Sequence, residues 1–82
     1  MNWKTITDPV PTDVHYEMIP RDGVCLKIEP VYANDWPAFR WIVHINFGAR
    51  VFHHEETAVD LPSAKYLAEN YLRLTLMAFQ KS

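Results

Sequence analysis

Alternating apolar and polar positions run through the first two thirds of this chain, and helical spacing takes over in the last third. Val14, Tyr16 and Met18 alternate with His15 and Glu17, which predicts a strand from residue 14 to 19. Pro20-Arg21-Asp22-Gly23 then reads as a turn, with Gly23 at the left-handed position of a type I turn with a bulge. That turn sets a register for the next strand. Met18 falls opposite Leu26, Tyr16 opposite Ile28 and Val14 opposite Pro30 on an apolar face. The other face pairs Glu17 with Lys27, His15 with Glu29 and Ile19 with Cys25. A slip of one residue would exchange the faces and destroy this sorting.

Pro30 is expected to weaken the far end of the second strand, and Asn34-Asp35-Trp36-Pro37 is the next turn region. From residue 39 to 47, Phe39, Trp41, Val43, Ile45 and Phe47 share one face, and Arg40, Ile42, His44 and Asn46 share the other. Gly48-Ala49 suits a type II′ turn, with glycine first. A short fourth strand, residues 50–54, would put Phe52 opposite Ile45 and His53 opposite His44. A helix follows from Asp60, the N-cap, to about residue 80, with Pro62 tolerated in its first turn. Leu61, Ala64, Ala68, Leu72, Leu76 and Phe79 recur at helical spacing, flanked by Leu67 and Tyr71. Lys65, Glu69 and Arg73 lie on the opposite side, with Glu69 and Arg73 in the favourable i, i+4 order. At about 1.5 Å per residue such a helix matches the length of the strand it covers.

The expected fold is therefore α+β: an antiparallel three- to four-stranded β-meander with one long C-terminal helix packed on one face. Residues 1–13, with Pro9 and Pro11, read as an extended N-terminal arm, and residues 14–82 as a single domain.

Composition narrows the function classes. The chain has 82 residues, 49% of them hydrophobic, enough for one core and no second. Its net charge of −2, from 8 Lys+Arg against 10 Asp+Glu, disfavours a phosphate-binding surface. The lone Cys25 makes no internal disulfide. No signal-peptide pattern and no membrane-length apolar run is present, so the cytoplasm is the expected location and no membrane role is expected.

Little in the chain carries catalytic chemistry. His53-His54-Glu55-Glu56, with His44 or His15, suggests a metal site, but neighbours on a strand point to opposite faces and no recognised zinc spacing occurs. The reading adopted is a solvated strand end, with no metal and no cofactor. Cys25 lacks any local nucleophile motif and reads as a small buried hydrophobe. Gly23 and Gly48, the only glycines, are both used in turns, which leaves nothing for a phosphate cradle.

The outer sheet face would present His15, Glu17, Lys27, Glu29, Arg40, Ile42, His44 and Asn46. It is either an ordinary solvated face or a polar binding surface with Ile42 as its apolar spot. Trp3 and Trp36 have no obvious core slot. Either they cap the open ends of the core, or they are exposed anchors of the type enriched at interface hot spots, with Tyr32 and Arg40 beside Trp36. Leu74, Met77 and Ala78 widen the apolar stripe of the helix, as ordinary core or as a dimer seam.

Phe39-x-Trp41-x-Val43-x-Ile45, Gly48, and Ala64-x-x-x-Ala68-Glu69-x-x-Leu72 give a strand–turn–helix layout over about half the chain. It resembles small accessory proteins of phages and mobile elements, including some anti-CRISPR inhibitors. The resemblance implies a compact protein that binds and modulates a host protein. The layout is also similar to the β-β-β-α portion of double-stranded-RNA-binding domains, although no helix precedes the strands here and only Lys65 stands where that family clusters lysines. The expected function is a non-enzymatic protein-interaction module, regulatory or inhibitory, contacting its partner through Trp3, Trp36, Arg40, Ile42 and His44. A nucleic-acid-binding regulator is the alternative.

Overall fold

The computed structural model describes residues 3–7 and 14–80, which leaves residues 1–2 and 8–13 of the expected arm, residues 81–82 and the side chains of Phe79 and Gln80 outside the described residues. Five strands, β1 (Lys4–Thr7), β2 (Val14–Arg21), β3 (Val24–Ala33), β4 (Trp36–Phe47) and β5 (Arg50–Ala58), precede one helix, α1 (Leu61–Gln80). The strands form a single antiparallel sheet in the order β1-β2-β3-β4-β5, so every strand lies beside its neighbour in sequence. The fold is the expected α+β meander and helix, with one strand more than expected. The extra strand is β1, taken from the N-terminal segment, which pairs with β2 from Lys4↔Glu17 to Thr7↔Val14.

Alternation decides which face is buried. Met18, Leu26, Ile28, Trp41, Val43 and Ile45 line one face and are closed over by Ala64, Ala68 and Leu72 of α1. The small alanines let the helix backbone approach the sheet, chiefly against β4. The expected register is found at Tyr16↔Ile28, Glu17↔Lys27 and Met18↔Leu26. Beyond Met18 a register shift absorbs one residue before Arg21↔Val24, so the expected Ile19–Cys25 pair does not form and Ile19 stands exposed. Gly23, at φ 82°, takes the left-handed position foreseen for it.

The Gly48-Ala49 turn has Gly48 at φ 63° and no positive φ at Ala49, as a type II′ turn requires. It places His44 opposite His53 and Phe52 opposite Ile45, as expected. β5, however, continues to Ala58 instead of ending near His54. Its inward position at residue 54 is polar, which hides the strand pattern. The His54 ring is nonetheless covered, stacked on Tyr71 at 4.4 Å and 9° and tilted against Trp41 at 5.3 Å.

At the start of α1 the N–H of Ser63 donates to Asp60 Oδ1 at 2.7 Å, and the N–H of Ala64 donates to the Asp60 carbonyl. This capping holds the Asp60 carboxyl below its usual range. A group lowered in the folded state stabilises above the unfolded carboxylate range, and that stability is lost as pH falls through the folded value. Asp60→Ala should therefore lower the melting temperature at neutral pH. The gap between variant and parent should close in acid, and thermal melts at several pH values check this. Among the described residues, no helix is long and apolar enough to cross a membrane.

Candidate interaction surface

β3 and β4 outrun their neighbours. Pairing of β2 with β3 stops at Tyr16↔Ile28, and pairing of β4 with β5 stops at Phe39↔Ala58, while β3 and β4 stay paired out to Ala33↔Trp36. Among the described residues, the hairpin end therefore extends past the paired parts of β2 and β5. Two prolines account for where the pairing stops. Asn34 and Asp35, at φ 52° and 66°, make a two-residue type I′ turn. Trp36 and Pro37, expected within the turn, instead open β4. In such a hairpin the residues flanking the turn, Ala33 and Trp36, exchange backbone hydrogen bonds, and every second pair does so after them. Pro30 and Pro37 fall on the intervening pairs, whose N–H groups point away from the partner strand. Pro30 thus lacks its donor on the β2 side, and Pro37 on the β5 side. Pro30, expected to weaken the far end of β3, leaves the strand running on to Ala33 and removes a donor only on its β2 side.

From Pro30 to Phe39 the projecting segment carries a single charge, Asp35. Tyr32 is 82% exposed and Trp36 75%. The pleat puts them on opposite sides of the hairpin, Tyr32 with the helix-bearing face and Trp36 with the outer face. Trp36, Arg40, Ile42 and His44 share the outer side of β4 and so lie in one row.

Trp3 is elsewhere. Its indole is half-buried against the core on the helix side, and Nε1 donates to Glu69 Oε1 at 3.2 Å. Lys65 is also drawn in, over the ring of Tyr16 at 5.6 Å. Hence Glu69 and Lys65 do not sit opposite the core, and the expected Glu69–Arg73 pair is replaced by Arg73 Nη2 donating to Asn70 Oδ1 at 2.6 Å.

Charges on the outer face are satisfied internally. Glu29 takes Arg40 at 3.1 Å and Lys27 at 3.8 Å, and His15 lies 3.3 Å from Glu17. Ile42 is half-buried between its cross-strand neighbours Lys27 and Glu55. His44 stands between Cys25 and His53. Burial pushes the Cys25 thiol up, Glu17 adds to this, and Lys27 opposes it. That environment favours the thiol over the thiolate and so does not make a nucleophile. Among the described residues, no group of three metal-ligating side chains converges.

On the solvent side of α1, Tyr66, Leu67, Leu74 and Met77 are exposed, so Leu74 and Met77 are not core. Tyr66, Glu69, Asn70 and Arg73 line a shallow depression there. The feature that sequence reasoning missed is the overhang. Its signal was present in the parity of Pro30 and Pro37, but it becomes readable only once Asn34-Asp35 is taken as a two-residue turn. Comparison with known protein families, characterised proteins and solved structures finds no match to this chain.

Proposed function

We propose that this protein is a non-enzymatic interaction module, regulatory or inhibitory, that docks on a partner protein through the projecting β3–β4 hairpin. The supporting observation is the hairpin itself, with ten residues carrying one charge and an exposed aromatic on each side. Large amphipathic rings on a preorganised turn lose little entropy on burial and are the residue type enriched at hot spots. The missing donors of Pro30 and Pro37 disfavour capture of a partner's strand along either edge of the hairpin end. Recognition then comes from side chains entering an apolar cleft, with Arg40, Ile42 and His44 extending the contact along the outer face. The nucleic-acid alternative receives less support, because Lys27 and Arg40 are already committed to Glu29.

Trp36→Ala and Tyr32→Ala should each leave the melting temperature nearly unchanged, since both rings are exposed. Each should weaken partner binding by about 2 kcal/mol, roughly 30-fold. The partner is to be recovered by crosslinking from residue 36 in native lysate after nuclease treatment, and binding measured with purified components. A partner bound equally well by both variants would refute the hairpin as the docking element.

A further inference from the structure

Counting back from the Gly48-Ala49 turn makes His44 and His53 a non-hydrogen-bonded cross-strand pair, the kind whose side chains approach most closely. Both project from the outer face. Their Nδ1 atoms are 3.4 Å apart, and the ring planes cross at 67°. One neutral ring donating to the other accounts for this contact. The spacing also suits a shared ion. Zinc–imidazole bonds are about 2.0–2.1 Å, so two such ligands at a tetrahedral angle lie roughly 3.3–3.4 Å apart. Cis nitrogens on a square-planar centre with similar bonds would lie only about 2.8 Å apart.

A second observation comes from the far side of the ring. His53 Nε2 faces Glu55 Oε1 at 3.5 Å. A carboxylate on the distal nitrogen is the arrangement that orients a metal-binding imidazole and raises the basicity of its near nitrogen. Residues 53 and 55 share a face of β5, so the strand supplies this partner without distortion.

We propose that His44 and His53 form a two-imidazole site for a divalent metal ion of zinc type, with Glu55 orienting His53. The two Nδ1 atoms bind the ion and water completes its coordination, an open site that exchanges its metal rather than a closed structural one. Cys25 stands opposite His44 on the same face, but its Sγ is turned to the Leu26 carbonyl at 4.0 Å, which leaves it outside the ligand set. The site lies away from the hairpin tip, and although His44 also belongs to the proposed docking row, metal binding does not rest on the proposed partner.

The test titrates the full chain with zinc chloride alone, by calorimetry and by NMR of the histidine rings. One ion should bind per chain, and the His44 and His53 ring signals should shift together. His44→Ala and His53→Ala should each weaken binding roughly tenfold or more, and His53→Gln should do the same while keeping a polar side chain on the strand. His15→Ala, His54→Ala and Cys25→Ser should bind as the parent does. Circular dichroism checks that each variant is folded. Zinc binding that survives loss of both His44 and His53, that falls equally with His15→Ala, or that is not detected would overturn the proposal.

Discussion

Trp41→Ala is expected to destabilise the protein by about 3–5 kcal/mol, the range for removing a large buried ring. The side chain is 2% exposed at the centre of β4. It lies against His54 at 5.3 Å and Tyr71 at 5.9 Å, so its loss leaves a cavity between sheet and helix and removes one wall of the stack that covers His54. A domain of this size holds about 4–12 kcal/mol in all, so most of the stability goes. Thermal melts should show the midpoint falling by roughly 15–30 °C. Trp41→Phe separates two contributions. Trp41 Nε1 is buried without a protein acceptor, so phenylalanine loses volume but also removes an orphaned donor. Its cost should be well below that of alanine. Equal costs would show that the indole N–H is not a liability.

Gly23→Ala is expected to cost about 3 kcal/mol despite adding a single methyl group. Gly23 sits at φ 82°, where a side chain costs about 1–2 kcal/mol. A Cβ there would also press into the Asn46 carbonyl oxygen, closer than real Cβ contacts come. The neighbouring bond in which the N–H of Asn46 donates to the Gly23 carbonyl at 2.7 Å would have to shift. Gly48→Ala is the control. It has a similar φ of 63° but open space around the added methyl, so it should cost only the backbone strain. Denaturant midpoints of the two variants, compared side by side, check this. Similar losses would mean that the β3–β4 packing at Asn46 yields easily.

These two sites also show how far the sequence could be read. Gly23 and Gly48 were legible because a left-handed turn position admits few residues other than glycine. The β2–β3 register was legible because only one alignment puts Glu17 opposite Lys27 while Tyr16 and Met18 face Ile28 and Leu26. The helix announced itself through Asp60 and the Ala64-Ala68-Leu72 stripe. β1 was not legible, since its one apolar residue, Ile6, lies opposite His15 on the outer face and threonines take the inward positions, a pattern with no apolar alternation toward the core. The end of β5 was hidden by His54, whose burial depends on a ring from α1, a contact that local alternation cannot encode. Trp3 was legible only as an aromatic without an obvious slot. Its acceptor Glu69 is 66 residues away and appeared bound for solvent. The outer row of Arg40, Ile42 and His44 followed from parity alone, but Trp36 joins it only because Asn34-Asp35 is a two-residue turn, and its place past the flanking pairings depended on where those strands stop.

The meander order has a consequence for synthesis on the ribosome. Each strand of β2 to β5 can pair with the one just made, so the sheet grows by short-range closures as the chain emerges. The helix that covers its apolar face is translated after all five strands. Until α1 is released, Leu26, Ile28, Val43 and Ile45 face solvent on a nearly complete sheet, and Trp3 lacks its Glu69 acceptor. The twenty residues of α1 thus convert an aggregation-prone nascent sheet into a folded protein. A stop codon placed just before Leu61 should do more damage than any single substitution in the core.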